Sequence, residues 1–282
     1  MAKRKRVNKV SISLWSLVLL CAVIIFSILV RQPSNTRDWE EEFAVQPTVS
    51  IKDNFVTISN IRDWRYSENE IISKNYISRT YDVTKLKKMW FMLEPFGGWD
   101  GVAHTYFVFD FEDQDPVSFS IEARREKGET YTAFQGLQRK FETVYLWGTE
   151  SDFTVKRAVY LKNNVYMFPL ITSDGFEKKL FMELAQQTIA LNRSPRFYNT
   201  LTSNCTNSLA DIANLVIKDT VPFHYSRLLT GYSAEYLHDL GYIPNEKSYD
   251  EMKNDFLVNE MVKKTYSDQN FSKQLREKLS GN

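Results

Sequence analysis

Three side chains in this 282-residue chain have the types from which thiol chemistry is built: Cys205, His104 and Glu122. Cys205 lies in the stretch "NTLTSNCTNSLADI" (199–212). The other cysteine, Cys21, lies in a hydrophobic run near the N-terminus. In an exported domain Cys205 therefore has no intrachain partner. It is a small buried hydrophobe, half of an intermolecular bridge, or a nucleophile. From Cys205 onward Leu209, Ile212, Ala213 and Val216 recur at helical spacing, with Ser203 or Asn204 placed to cap the N-terminus and Pro222 placed to stop the helix. A thiol in the first turn of a helix meets the positive end of the macrodipole and orphan N–H groups. Both favour the thiolate. A histidine beside it would activate it further, and a third group would fix the tautomer of that histidine.

Two strands with a period of two supply that pair. In "VAHTYFVFDF" (102–111) Thr105, Phe107, Phe109 and Phe111 make one mostly aromatic face, leaving His104, Tyr106, Val108 and Asp110 on the other. In "VSFSIE" (117–122) Val117, Phe119 and Ile121 are apolar and Ser118, Ser120 and Glu122 are polar. "EDQDP" between them signals a turn. An antiparallel hairpin pairing Phe107 with Phe119 and Phe109 with Val117 also sets Tyr106 opposite Ser120 and His104 opposite Glu122. Opposed Cβ atoms are about 5 Å apart, within reach of an imidazole–carboxylate hydrogen bond. His224 and His238 have the contexts of an ordinary loop and a surface helix. A helix-start cysteine with a strand histidine and an opposed carboxylate is a papain-like arrangement.

Other chemistries lack their motifs. There is no H-x-x-x-H, H-E-x-x-H or paired-cysteine spacing for a metal, and no G-x-S-x-G for a serine nucleophile. "EPFGGWDG" (94–101) is Gly-rich but lacks phosphate-loop spacing and a closing lysine. No cofactor or metal is expected.

The surrounding elements have to position these groups. "NFVTISNI" (54–61), the end of "DVTKLKKMWFML" (82–93), "FETVYLWG" (141–148) and "NVYMFPL" (164–170) read as further strands. "DGFEKKLFMELAQQTIALN" (174–192) reads as an amphipathic helix through Phe176, Leu180, Phe181, Leu184, Ala185 and Ile189. The fold class is α+β with an antiparallel sheet.

Charge is unevenly distributed. Lys3, Arg4, Lys5, Arg6 and Lys9 precede residue 10, and no acidic residue occurs before Asp38. The remainder is mildly acidic, so a nucleic-acid partner is not expected. Residues 10–30 are uncharged and long enough to span about 30 Å as a helix. The expectation is a cytoplasmic basic segment at 1–9 and one transmembrane signal anchor at 10–30, with the rest of the chain outside. A cleaved signal peptide is the alternative, but no small-residue cleavage pattern follows the run. Residues 31–53 read as an acidic stem, 54–245 as the folded domain, and 246–282 as a peripheral charged helical tail with a thin stripe of Met252, Phe256 and Met261.

The segments "LEPFGGWDGVAHTYFVFDFED", "SFSIEARREKGETY", "YLWGTESD", "FYNTLTSNCTNSLADIAN" and "LLTGYSAEYLHDLGYI" resemble, in order, the Lnb N-terminal periplasmic domain family across about 54–245. The resemblance implies a circularly permuted papain-like (NlpC-type) domain, similar in layout to lecithin:retinol acyltransferase-like proteins. The family is named after bacterial enzymes that N-acylate the terminal cysteine of lipoproteins. It implies Cys205 as nucleophile and acyl carrier, His104 as general base and acid, and Glu122 as the orienting carboxylate. The substrate would be a membrane lipid or lipoprotein at the outer face of a bacterial inner membrane. The full-length acyltransferases of this family carry further spanning segments. This chain shows only the N-terminal one, which implies a membrane-protein partner, another substrate, or no lipoprotein role. Three functions follow: a membrane-anchored thiol acyltransferase, a thiol hydrolase cutting peptidoglycan peptides or lipid esters on the same fold, or a non-enzymatic envelope binding module. Oligomeric state is not encoded in these features.

Overall fold

The computed structural model describes residues 15–20, 30–268 and 270–280. The basic segment 1–9, Cys21 and most of the run at 10–30 lie outside the described residues. Among the described residues no helix is long and apolar enough to cross a membrane.

In chain order the elements are α1 (Glu41–Ala44), β1 (Thr48–Lys52), β2 (Phe55–Tyr66), β3 (Ile71–Asp82), β4 (Leu86–Pro95), β5 (Ala103–Phe111), β6 (Val117–Arg124), α2 (Ala133–Leu137), β7 (Glu142–Thr149), α3 (Glu150–Val155) continuing into a π turn (Lys156–Tyr160), β8 (Tyr166–Pro169), α4 (Phe176–Arg193), α5 (Cys205–Val216), α6 (Ser233–Asp239), α7 (Tyr249–Met252), α8 (Asn259–Thr265) and α9 (Phe271–Ser280). The strands form one sheet ordered β1-β2-β7-β6-β5-β4-β8, with β3 also paired to β2. The named pairs are antiparallel except β2 with β7, which run parallel and meet at Arg62 and Gly148. This is a mixed α+β architecture.

The β5–β6 hairpin has the register its alternation predicts. Phe107 pairs with Phe119, Phe109 with Val117 and Tyr106 with Ser120. A slip of one residue would turn the aromatic set into the polar one, so burial of one face fixes the pairing. That aromatic face meets α4, where Phe181 packs 5.1 Å from Phe109 and 5.3 Å from Trp147 between ring centroids. Edge-to-face contacts of this kind add to the area that the rings bury. The opposite face is covered by α3, with Phe153 edge-on to Tyr106 at 5.9 Å. Gly148 makes that cover fit, because a Cβ there would sit 2.1 Å from the Phe153 ring. With both faces covered, β7 is buried along its whole length.

Two terminal segments pack more closely than their composition predicts. The stem expected at 31–53 buries Trp39 and Phe43 and contributes β1 to the sheet. Arg124 holds it, stacking over Trp39 at 4.2 Å and donating from Nε to the Phe43 carbonyl (3.0 Å). The acidic residues that suggested a stem face cations instead, Glu42 pairing with Arg125 and Lys156. The tail at 246–282 is helical but not peripheral. Met252, Phe256, Val258, Val262, Phe271, Leu275 and Leu279 are all buried in the main core. A thin apolar stripe suffices when it falls on one helical face and a sheet waits beneath it.

Candidate active site

The cysteine helix starts where its cap predicts. Asn204 takes an extended conformation, and its Oδ1 accepts from the Asn207 N–H at 2.7 Å. Its Nδ2 donates to the carbonyls of Thr200 and Arg227, both at 2.9 Å, which ties the loops on either side to the first turn. The helix stops at Val216, well before Pro222. Cys205 is the first residue of α5, a free thiol and 6% exposed. Next to it the Thr206 and Thr105 hydroxyls lie 2.9 Å apart and lock the helix start to β5.

His104, near the start of β5, has a polar partner on each side. On one side is the Cys205 thiol, near enough for the imidazole to shift its titration, its sulfur lying 3.9 Å from Thr206 Oγ1. Nε2 lies 2.8 Å from Ser120 Oγ and 3.1 Å from Glu122 Oε1, and Ser120 Oγ donates to the same Glu122 oxygen at 2.7 Å. Behind Glu122, Arg157 Nη2 donates to Oε1 at 3.1 Å. Arg157 Nε pairs with Glu94 Oε2 at 2.7 Å, an ionic contact without the alignment of a hydrogen bond. Asn163 Nδ2 donates to the other Glu94 oxygen at 2.7 Å. The guanidinium also lies over the Tyr106 ring at 4.5 Å. Glu94, His104 and Glu122 come from three adjacent strands, and Glu94 is the ladder partner of His104 on β4.

Electrostatics follow from this arrangement. Burial pushes the Cys205 thiol up, but the hydrogen bond and charge of His104, with hydrogen bonds from Thr105, bring it below the ordinary thiol range. Burial pulls His104 down, yet the Glu122 charge and the bond to Cys205 carry it up to about 10. Burial raises Glu122, and the His104 and Arg157 charges more than reverse that, holding it well below the usual carboxylate range. The three shifts describe one coupled system that favours thiolate, imidazolium and carboxylate together.

The sequence-predicted trio thus lines a single cleft of about 780 Å³, together with Glu94, Arg157 and Tyr198. A smaller apolar cavity of about 260 Å³ lies behind α5, against Phe107, Leu209 and Ala213. It contains none of the three groups, so the candidate site is the larger cleft. His224 stacks on Tyr236 at 4.0 Å, and His238 Nε2 lies 2.9 Å from the Lys247 carbonyl oxygen. Neither lines the cleft. Ser120, Arg157 and Glu94 were not singled out by sequence. Ser120 had a signal, its place on the polar face of β6 between the histidine strand and Glu122.

Comparison with known families matches residues 73–231 to the Lnb N-terminal periplasmic domain, a stretch that includes His104, Glu122 and Cys205. Comparison with curated proteins and with solved structures finds no match. The matched stretch exceeds half of the chain, and the chain belongs to the Lnb N-terminal periplasmic domain family.

Proposed function

We propose that this protein is a membrane-anchored thiol acyltransferase that carries an acyl group from a lipid or lipoprotein as a thioester on Cys205. The observation that carries the proposal is the meeting of Cys205, His104 and Glu122 in one cleft, with His104 Nε2 3.1 Å from Glu122 Oε1 and the imidazole lowering the Cys205 thiol. The layout, with the histidine strand before the cysteine helix, also suits a permuted papain-like domain.

In the first half-reaction the Cys205 thiolate attacks the ester carbonyl carbon. The S–C bond forms, the C–O bond breaks, and His104 gives its proton to the departing alcohol. In the second half an amine attacks the thioester, neutral His104 takes the amine proton, and the thiolate leaves. Glu122 orients the ring and stabilises its charged form, with Ser120 bridging the two. The Cys205 and Thr206 N–H groups lie in the first helical turn, where no intrahelical acceptor exists, and serve as donors to the developing oxyanion. The uncharged run at 10–30 acts as a single-pass anchor that keeps the cleft at the outer face of the inner membrane, where acyl donors are concentrated.

Mass spectrometry of the protein after exposure to bacterial membranes tests the reading. The expected result is an acyl adduct on Cys205, absent in Cys205→Ser, slowed in His104→Ala, and discharged by an amine acceptor such as a lipopeptide with a free N-terminal cysteine. Discharge by water alone would indicate a hydrolase. No adduct under any condition would leave a binding module and end the proposal.

A further inference from the structure

Two side chains that line the cleft, Trp99 and Leu228, and four on segments joined to its lining stand in solvent. Trp99, Phe134, Leu201, Phe223, Tyr225 and Leu228 are all exposed, Phe223 at 72% and Phe134 at 68%. Single exposed apolar residues are ordinary, but a linked set around a cleft marks an interaction surface. Contacts link the segments that bear them. Thr200 Oγ1 donates to the Ala133 carbonyl at 2.7 Å, joining the Leu201 loop to the Phe134 helix. Asn204 Nδ2 bonds the Arg227 carbonyl, bringing the Leu228 segment to the start of the cysteine helix. Arg227 in turn lies 6.0 Å from the Phe223 ring centroid. The Gly231 N–H donates to the Gly101 carbonyl at 3.2 Å, setting the Trp99 loop alongside. Only glycine fits there, since a Cβ would lie 1.7 Å from the Asp100 carbonyl oxygen.

The point where the chain enters the domain indicates what covers this margin. Arg31 is the first charged residue after the uncharged run. Its guanidinium bonds Glu126 at 3.0 Å and lies 5.9 Å from the Phe197 ring centroid. Arg139, two residues beyond α2, lies at 5.9 Å from the same ring. Arg31 and Arg139 thus meet at one ring, which sets the point where the run leaves the domain near the segment that follows the Phe134 helix. Anchor exit and apolar margin share one edge.

We infer that this margin is a bilayer-contact surface. Its side chains seat in the boundary between headgroups and acyl chains, and the cleft opens directly onto lipid. Trp and Tyr suit that boundary because their rings are apolar with one polar atom, and Phe and Leu supply the inserted apolar area. The inference rests on the anchor of the proposed function but not on its thiol chemistry.

The test uses the full chain carrying Trp15→Phe, reconstituted in phosphatidylcholine–phosphatidylglycerol vesicles with or without bromine on the acyl chains. Trp39, Trp64, Trp90 and Trp147 are buried, so Trp99 carries the lipid-dependent signal. The expected result is a loss of tryptophan emission in brominated vesicles that disappears on adding Trp99→Phe and weakens with Phe134→Ser and Phe223→Ser. The same quenching is expected in Cys205→Ser, so failure of the acyl chemistry leaves this result standing. Equal emission in the two kinds of vesicle, with the protein floating with them, would overturn the inference. So would quenching that survives Trp99→Phe.

Discussion

The same face of β5 carries two polar clusters, one at His104 and one at Asp110, and only one of them has the makings of a site. At the Asp110 end Arg276 from α9 reaches both carboxylate oxygens, Nη2 to Oδ1 at 2.6 Å and Nε to Oδ2 at 2.9 Å. Trp90 Nε1 also donates to Asp110, at 2.6 Å, and Arg276 bonds the buried Glu150 as well. One guanidinium there serves two carboxylates. Burial raises Glu150 and the charge of Asp110 adds to it, so the opposing pull of Arg276 does not bring it back to the usual range. At the His104 end two carboxylates, Glu122 and Glu94, share two cations, His104 and Arg157, and Glu122 is held low despite burial. The first cluster is covered by the C-terminal helix, which supplies Arg276, and contains no thiol. The second includes a thiol and opens into the cleft. Buried charge on a strand is therefore weak evidence for chemistry on its own. The nucleophile and the opening make the difference.

Four substitutions and one titration probe that contrast. Cys205→Ala should abolish the acyl-enzyme and lower turnover by about 10⁴-fold or more, read by single-turnover kinetics. His104→Ala should cost about 10³–10⁴-fold and leave a thiol that alkylates slowly at neutral pH. Arg276→Ala should leave the buried Glu150 carboxylate without its cation and lower stability by about 3 kcal/mol, seen as a reduced urea midpoint. Its kcat/KM per folded molecule should not change, and a large loss there would erase the distinction between the clusters. Glu122→Gln should cost on the order of 10²-fold, because Ser120 still contacts the ring.

The smallest effect is the shape of the pH profile. Activity should rise as the Cys205 thiol loses its proton below the ordinary thiol range and fall as His104 loses its own near about 10. Glu122→Gln should move the falling limb to lower pH, because the Glu122 charge is what raises His104. Linkage has the same sign. A histidine raised in the folded state stabilises fully below its unfolded value of about 6.5, and that contribution is lost as pH rises through about 10. Equilibrium unfolding of wild type and His104→Ala at a series of pH values checks this.

Much of the site was legible because its signals are local. Alternation in 102–111 and 117–122 sets the hairpin register, and that register sets His104 beside Glu122. Asn204 ahead of a helical apolar pattern marks the start of the cysteine helix. Where partners are far apart along the chain, sequence is silent. Arg157 comes from a π turn whose residues "KRAVY" fit neither period, and its partners Glu94 and Glu122 are 63 and 35 residues away. β3 was missed because "IISKNYISRTYD" is the outer arm of its hairpin, with only Tyr81 buried and no apolar stripe to detect. The N-terminal segment and the tail looked solvated because each buries few side chains per turn. Trp39 and Leu275 find their partners only once the sheet exists.

The central claim is that His104 turns a buried cysteine into a nucleophile. Its most direct test is the rate of Cys205 alkylation by iodoacetamide across pH, measured in a Cys21→Ser protein with and without His104→Ala. The account predicts a titration midpoint below the ordinary thiol value of about 8.5, moving upward when His104 is removed. A midpoint at or above that value, unchanged by His104→Ala, would show an inert buried thiol and contradict it.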